Sequence, residues 1–137
     1  MAPRQFTLEE AESLLPRLSV LIAELRARKE EYDRFMRQVE ELGQKMRGNG
    51  HLMDAELKAA QAGLEQSAEG LNSLAEEVRE MGCELKGVEE GLIDFRTELD
   101  GREVYLCWKS GEERIDWWHE LDTGFAGRQP LRRAADG

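Results

Sequence analysis

The chain is 137 residues long, 35% charged and only 7% aromatic, with a formal net charge of −10. That length suits one domain, and the charge suits amphipathic helices whose outer faces are solvated. The acidic balance argues against non-specific binding to nucleic acid or to anionic membranes, which both need a cationic surface. Arg132-Arg133 is too small a patch to reverse it. No apolar run approaches the roughly 20 residues of a membrane span, and Met1 to Gln5 has no apolar signal core. A cytoplasmic protein with Cys83 and Cys107 as reduced thiols is therefore expected.

The first element announces itself with Thr7-Leu8-Glu9-Glu10, a capping box in which the Thr7 hydroxyl and the Glu10 carboxylate serve each other's backbone amides. Phe6 stands where a hydrophobic staple belongs, and Pro16 should kink or restart the helix. Leu18, Leu21, Leu25, Arg28, Tyr32, Phe35, Val39, Leu42 and Met46 then step by three and four, an a/d seam with one charged interruption. Arg47-Gly48-Asn49-Gly50 supplies turn residues. A second seam follows in Leu57, Ala60, Leu64, Ser67, Leu71, Leu74, Val78 and Met81.

Folding the chain at the glycines sets Leu42 opposite Leu57, Val39 opposite Ala60, Phe35 opposite Leu64 and Tyr32 opposite Ser67. Nearer the open end, Leu25 meets Leu74, Leu21 meets Val78 and Leu18 meets Met81. Small residues thus face large ones, as interdigitating layers require. The first arm should be about 58 Å long at 1.5 Å per residue. Its base is widened by Leu14, Leu15 and Ile22 and should pack on the C-terminal unit; its distal half should pair with a second copy as a four-helix homodimer.

Gly82 is a plausible helix C-cap. Beyond it, Gly91 to Phe95 reads as a short strand and Asp100-Gly101 as a turn. Arg102–Lys109 and Glu113–Glu120 read as a hairpin around Ser110-Gly111. Alternation through that tight turn puts Val104, Leu106 and Trp108 on the core face with Ile115, Trp117 and His119. Tyr105 and Cys107 fall on the other face with Trp118 and Glu120, to be covered by the first strand, the Gly124–Gln129 loop or a partner. The fold class is α+β: one domain over residues 1–129, with a helical hairpin near 7–82, a small antiparallel sheet in 83–129, and a disordered tail at 130–137.

Chemistry is concentrated in Trp117-Trp118-His119-Glu120-Leu121-Asp122, which is not the zincin pattern because no second histidine follows at helical spacing. A divalent metal ion (zinc, iron or manganese) would draw on His119, Glu120, Glu112, Asp94 and Glu84, with Asp122 and Cys107 as further donors. Against that stands an ordinary core-edge histidine hydrogen-bonded to a neighbour. Cys107, flanked by apolar side chains in mid-strand, reads as an inert buried thiol. Gly124-Phe125-Ala126-Gly127-Arg128 would make a weak anion nest with Arg128 as its clamp. His51, at the hairpin tip, is too far along the helices to share a site with His119.

Phe6-Thr7, Leu15-Pro16, Gly91-Leu92-Ile93-Asp94-Phe95, Asp100 to Trp108, Trp118-His119-Glu120 and Gly124 to Arg128 together resemble a bacterial family known as a domain of unknown function, number twenty-two-oh-three. The resemblance runs from Phe6 to about Gln129 and departs from the family pattern at Arg96, where relatives carry proline. It implies a small bacterial cytosolic protein and carries over no catalytic residue. The residues favour a homodimeric interaction or ligand-binding module, not an enzyme, with any site at the hairpin base. The alternatives are a metal-dependent hydrolase using His119 and a purely structural coiled-coil adaptor.

Overall fold

The computed structural model describes residues 4–49 and 53–131. The fold is α+β, with two long helices that pack together and one antiparallel sheet. The helices are α1 (Leu8–Ser13), α2 (Leu15–Asn49) and α3 (Asp54–Glu80). The strands are β1 (Glu84–Gly87), β2 (Leu92–Leu99), β3 (Arg102–Lys109), β4 (Trp117–His119) and β5 (Gln129–Pro130), paired in that order as a meander. The chain divides into two compact units: Ala23–Ala75, and the two chain ends up to Ile22 and from Glu76 onward. No described helix is long and apolar enough to cross a membrane.

In the unit made from the chain ends, both halves of the capping box form: the Glu10 amide donates to Thr7 Oγ1 at 3.1 Å and the Thr7 amide donates to Glu10 Oε1 at 2.9 Å. Those bonds hold the Glu10 carboxyl below its ordinary range, with the Thr7 backbone the largest cause. The helix breaks at Leu14 and restarts at Leu15, so Pro16 lies in a first turn, where a missing N–H costs nothing. Phe6 does more than staple: it packs edge-on against Phe95 at 5.3 Å, its amide donates to the Arg96 carbonyl, and its carbonyl accepts from Thr97 Oγ1. This ties the start of α1 to β2. Gly82, at φ +93°, ends α3 as a C-cap should.

The β2–β3 hairpin is closed by Asp100 (φ 52°) and Gly101 (φ 80°), the paired left-handed residues of a two-residue turn matched to strand twist. β2 is longer than the sequence suggests, reaching Leu99, and β1 is an extra edge strand with a register shift between Leu85 and Gly87. One sheet face carries Ile93, Phe95, Val104, Leu106 and Trp108, all buried, and forms the core with Leu15, Leu18, Leu21 and Ile22 of the helices.

The expected hairpin around Ser110-Gly111 needs correction. Tyr105 pairs with His119 and Cys107 with Trp117, so β4 is displaced by an odd number of residues from the tight-turn register. His119 and Trp117 therefore share a face with Tyr105 and Cys107, and Trp118 lies on the Leu106 side. The cause is local. Residues 110–116 form a connection and not a strand, because their polar groups bond elsewhere. Glu112 accepts from Trp108 Nε1 and from the Lys109 amide, and the Ile115 amide donates to Glu12 of α1.

In the unit Ala23–Ala75, α2 and α3 run antiparallel. The Phe35 ring lies against Gly63, where an added Cβ would collide with it, and the Arg28 stem lies over Gly70. Leu25, Ala60 and Ser67 are buried; Tyr32, Phe35, Val39, Leu42, Leu64 and Leu71 are only half-buried. α2 continues through Gly48 to Asn49, beyond the start of the expected turn, while Gly50, His51 and residues 132–137 lie outside the described residues.

Two substitutions rank these features. Phe95→Ala, at a fully buried position, should cost about 3–5 kcal/mol in urea denaturation. Loss of the cap in Thr7→Ala should cost about 1 kcal/mol.

Candidate functional site

The face of the sheet opposite the core is where polar chemistry gathers. Asp94 and Cys107 are direct partners across β2 and β3, and His119 arrives from β4 opposite Tyr105, beside Cys107. Asp94 is 3% exposed, and Cys107 and His119 are 1% exposed each. One ligand atom from each of the three lies within 4.8 Å of the others. They line a cavity of about 120 Å³, whose remaining walls include Lys86, Leu92, Tyr105, Leu121 and Phe125. Of the covers that the sequence allowed for this face, the loop after β4 is the one present, and all these residues belong to the unit formed by the chain ends.

The hydrogen bonds fix the histidine tautomer. Nδ1 lies 2.7 Å from the Glu120 carbonyl, which can only accept, so Nδ1 carries the proton. Nε2 points at Asp94 Oδ2, 3.1 Å away. The second carboxylate oxygen, Asp94 Oδ1, is buried and has no hydrogen-bond partner among the described residues. Burial pushes the Asp94 carboxyl above its usual range, and His119, with smaller help from the Cys107 thiol and the Lys86 charge, only partly offsets this.

Cys107 is pushed up to about 11, chiefly by burial; Arg128 pulls the other way and Asp94 reinforces burial. Arg128 Nε donates to Cys107 Sγ at 3.3 Å and its Nη2 to the Cys107 carbonyl at 3.2 Å. Glu112 holds the same guanidinium with both oxygens, at 2.8 and 3.1 Å, and the Trp117 and Phe125 rings lie against it. Arg128 thus fastens the loop to β3, which leaves its fork engaged and not free to clamp an anion.

Of the residues singled out from sequence, the fold brings Asp94 and His119 together. Glu120 turns away and pairs with Arg102, while Glu112 is taken by Arg128. Glu84 sits at the edge, paired with Lys86 and Arg96. Burial raises the Glu84 carboxyl, but hydrogen bonds from Tyr105 and Lys86, together with the charges of Lys86 and Arg96, hold it below the ordinary value. Tyr105 is pushed up to about 12 by burial and by Glu84. The participant that the sequence undervalues is Cys107. Its signal lies in register: counting outward from Asp100-Gly101 sets residue 94 opposite residue 107.

The chain belongs to the family described as "Uncharacterized conserved protein (DUF2203)", whose model matches residues 4–131. No curated protein and no solved structure matches it.

A thiol titrating near 11 is about one part in a thousand thiolate at pH 8. Cys107 and the equally buried Cys83, also pushed up to about 11, should resist iodoacetamide in the native protein and react promptly in urea. Fast native alkylation of Cys107 would contradict this burial.

Proposed function

We propose that this protein is a ligand-binding module whose ligand is a divalent transition-metal ion held by Asp94, Cys107 and His119. The observation that carries the reading is the state of these side chains: one oxygen of the buried Asp94 carboxylate faces a histidine whose other ring nitrogen is already fixed, and its second oxygen has no hydrogen-bond partner among the described residues. Unsatisfied buried carboxylate oxygens are costly, and they persist where a ligand compensates them. A metal-bound histidine commonly donates its second nitrogen to a backbone carbonyl, which leaves the first as a lone pair toward the ion; the Nδ1–Glu120 bond is of that kind.

Distances support the same reading. Ligand oxygens and nitrogens about 2.0 Å from a tetrahedral ion stand about 3.3 Å apart. The Asp94–His119 separation is 3.1 Å. Drawing Cys107 in from within 4.8 Å to the roughly 3.5 Å expected between sulfur and the lighter ligands needs a contraction of about 1.3 Å at most. An oxygen, nitrogen and sulfur set suits zinc or ferrous iron better than magnesium or calcium, which prefer oxygen alone. Metal would take the proton's place on the Cys107 thiol, so affinity should rise with pH.

Zinc or cobalt titrated into the metal-free chain should bind one to one, with a thiolate-to-cobalt charge-transfer band. Zinc at 100 times its dissociation constant should stabilise the fold by about 2.7 kcal/mol. Cys107→Ser should abolish the band and His119→Ala should weaken binding at least tenfold, while circular dichroism reports that the variants fold. Absence of stoichiometric binding, or binding indifferent to both substitutions, overturns the reading.

A second reading concerns the helical arm. We propose that Ala23–Ala75 pairs with a second copy of the chain. Its seam is largely half-buried, and its charges nearly cancel, with eight basic and ten acidic residues. The α2 portion has a small positive excess and the α3 portion a negative one, so two copies set α2 against α3 are complementary. Light scattering should give twice the chain mass. A monomer at micromolar concentration contradicts it.

A further inference from the structure

The cavity around Asp94, Cys107 and His119 is larger than an ion needs. Its volume is about 120 Å³, while a water molecule's share of liquid volume is about 30 Å³. The three side chains line this space, and among the described residues no other His, Cys, Asp or Glu joins the set. Each nearby carboxylate is engaged elsewhere: Glu84 with Lys86 and Arg96, Glu112 with Arg128, Glu120 with Arg102. Structural zinc sites are closed by four protein ligands, whereas three-ligand sites keep a position for solvent or substrate. Here that position borders the cavity.

The walls say what fits there. Leu92, Leu121 and Phe125 are apolar and offer no hydrogen bonds to a large polar molecule. Lys86 is the cationic side chain of the lining; it is exposed, keeps a 3.3 Å contact to Glu84, and lies over the Tyr105 ring. Thiolate and carboxylate together cancel the charge of a divalent ion, so a bound ion is neutralised by its protein ligands yet remains Lewis acidic. Leu121 and Phe125 are also 42% and 46% exposed, so the site is screened by one loop's side chains and not sealed in the core.

We infer that an ion held by Asp94, Cys107 and His119 keeps one exchangeable coordination position facing this cavity, and that the position takes a small anion of about three or four non-hydrogen atoms, of the size of azide, formate or bicarbonate, with Lys86 at the mouth. This rests on the metal reading given above. The size limit follows from the cavity, which has room for about four waters. The anion replaces a bound water directly, with no redox change and no covalent bond to the protein. Lys86 acts through charge and not as a ligand, so its removal should leave metal affinity alone.

Cobalt-loaded full-length protein titrated with sodium azide, at constant ionic strength, tests this. The visible d–d bands should shift and saturate while the thiolate charge-transfer band persists, and formate should compete. Lys86→Met should weaken azide about fivefold without changing cobalt affinity, and Lys86→Arg should restore it. A cobalt site with its thiolate band intact but a spectrum indifferent to azide overturns the open position while sparing the metal reading. Failure to bind cobalt at all overturns both. An azide shift equal in the wild type and Lys86→Met overturns the part given to Lys86.

Discussion

The register of the β2–β3 hairpin is the constraint on which the rest depends. Asp100 and Gly101, both at positive φ, close a two-residue turn, and every pairing outward from Leu99–Arg102 is then fixed. Eight pairs run without a bulge to Leu92–Lys109. That continuity sets Asp94 directly across from Cys107 on one face and Phe95 across from Leu106 on the other. One residue added to the turn would send Cys107 into the core and bring Trp108 toward Asp94, since side chains alternate with a period of two. The hydrophobic core and the polar site are thus consequences of one turn. Neither can shift without the other.

The two faces differ in what closes them. The core face is covered by helices, and its side chains are apolar apart from the Thr97 hydroxyl, satisfied by the Phe6 carbonyl, and the Trp108 indole N–H, which donates to the Glu112 carbonyl. The opposite face is closed by a loop carrying Leu121 and Phe125, fastened through Arg128 to Cys107 and Glu112. Burying a carboxylate and an imidazole under such a loop works against stability unless their lone pairs are met. Asp94 Oδ1 is not met by any described residue. An apolar pair of similar volume would hold the sheet as well, so the arrangement is better explained by a ligand than by folding.

Much of this was legible in the amino-acid sequence where short-range chemistry decides. Thr7 and Glu10 announce the cap, Pro16 the restart, Gly82 the helix end and Asp100-Gly101 the hairpin, each through its own backbone preference. The two helical seams can be paired on paper because antiparallel neighbours obey one period. The position of β4 could not be read that way. It depends on the Ile115 amide reaching Glu12, about a hundred residues earlier in the chain, and on Trp108 bonding to the Glu112 carbonyl. No alternation in residues 110–116 records either bond. Since β4 carries His119, the displacement also hid the meeting of His119 with Cys107 and made the thiol look inert. Membership of an uncharacterised family supplied no functional residues to correct it.

On the proposed reading, Asp94, Cys107 and His119 bind one ion together. X-ray absorption at the zinc edge of the zinc-reconstituted chain tests it most directly. A site built from Asp94, Cys107 and His119 gives one sulfur scatterer at about 2.3 Å and nitrogen or oxygen scatterers at about 2.0–2.1 Å, including the outer-shell pattern of one imidazole. A first shell of oxygen alone, with no sulfur and no imidazole, would contradict it.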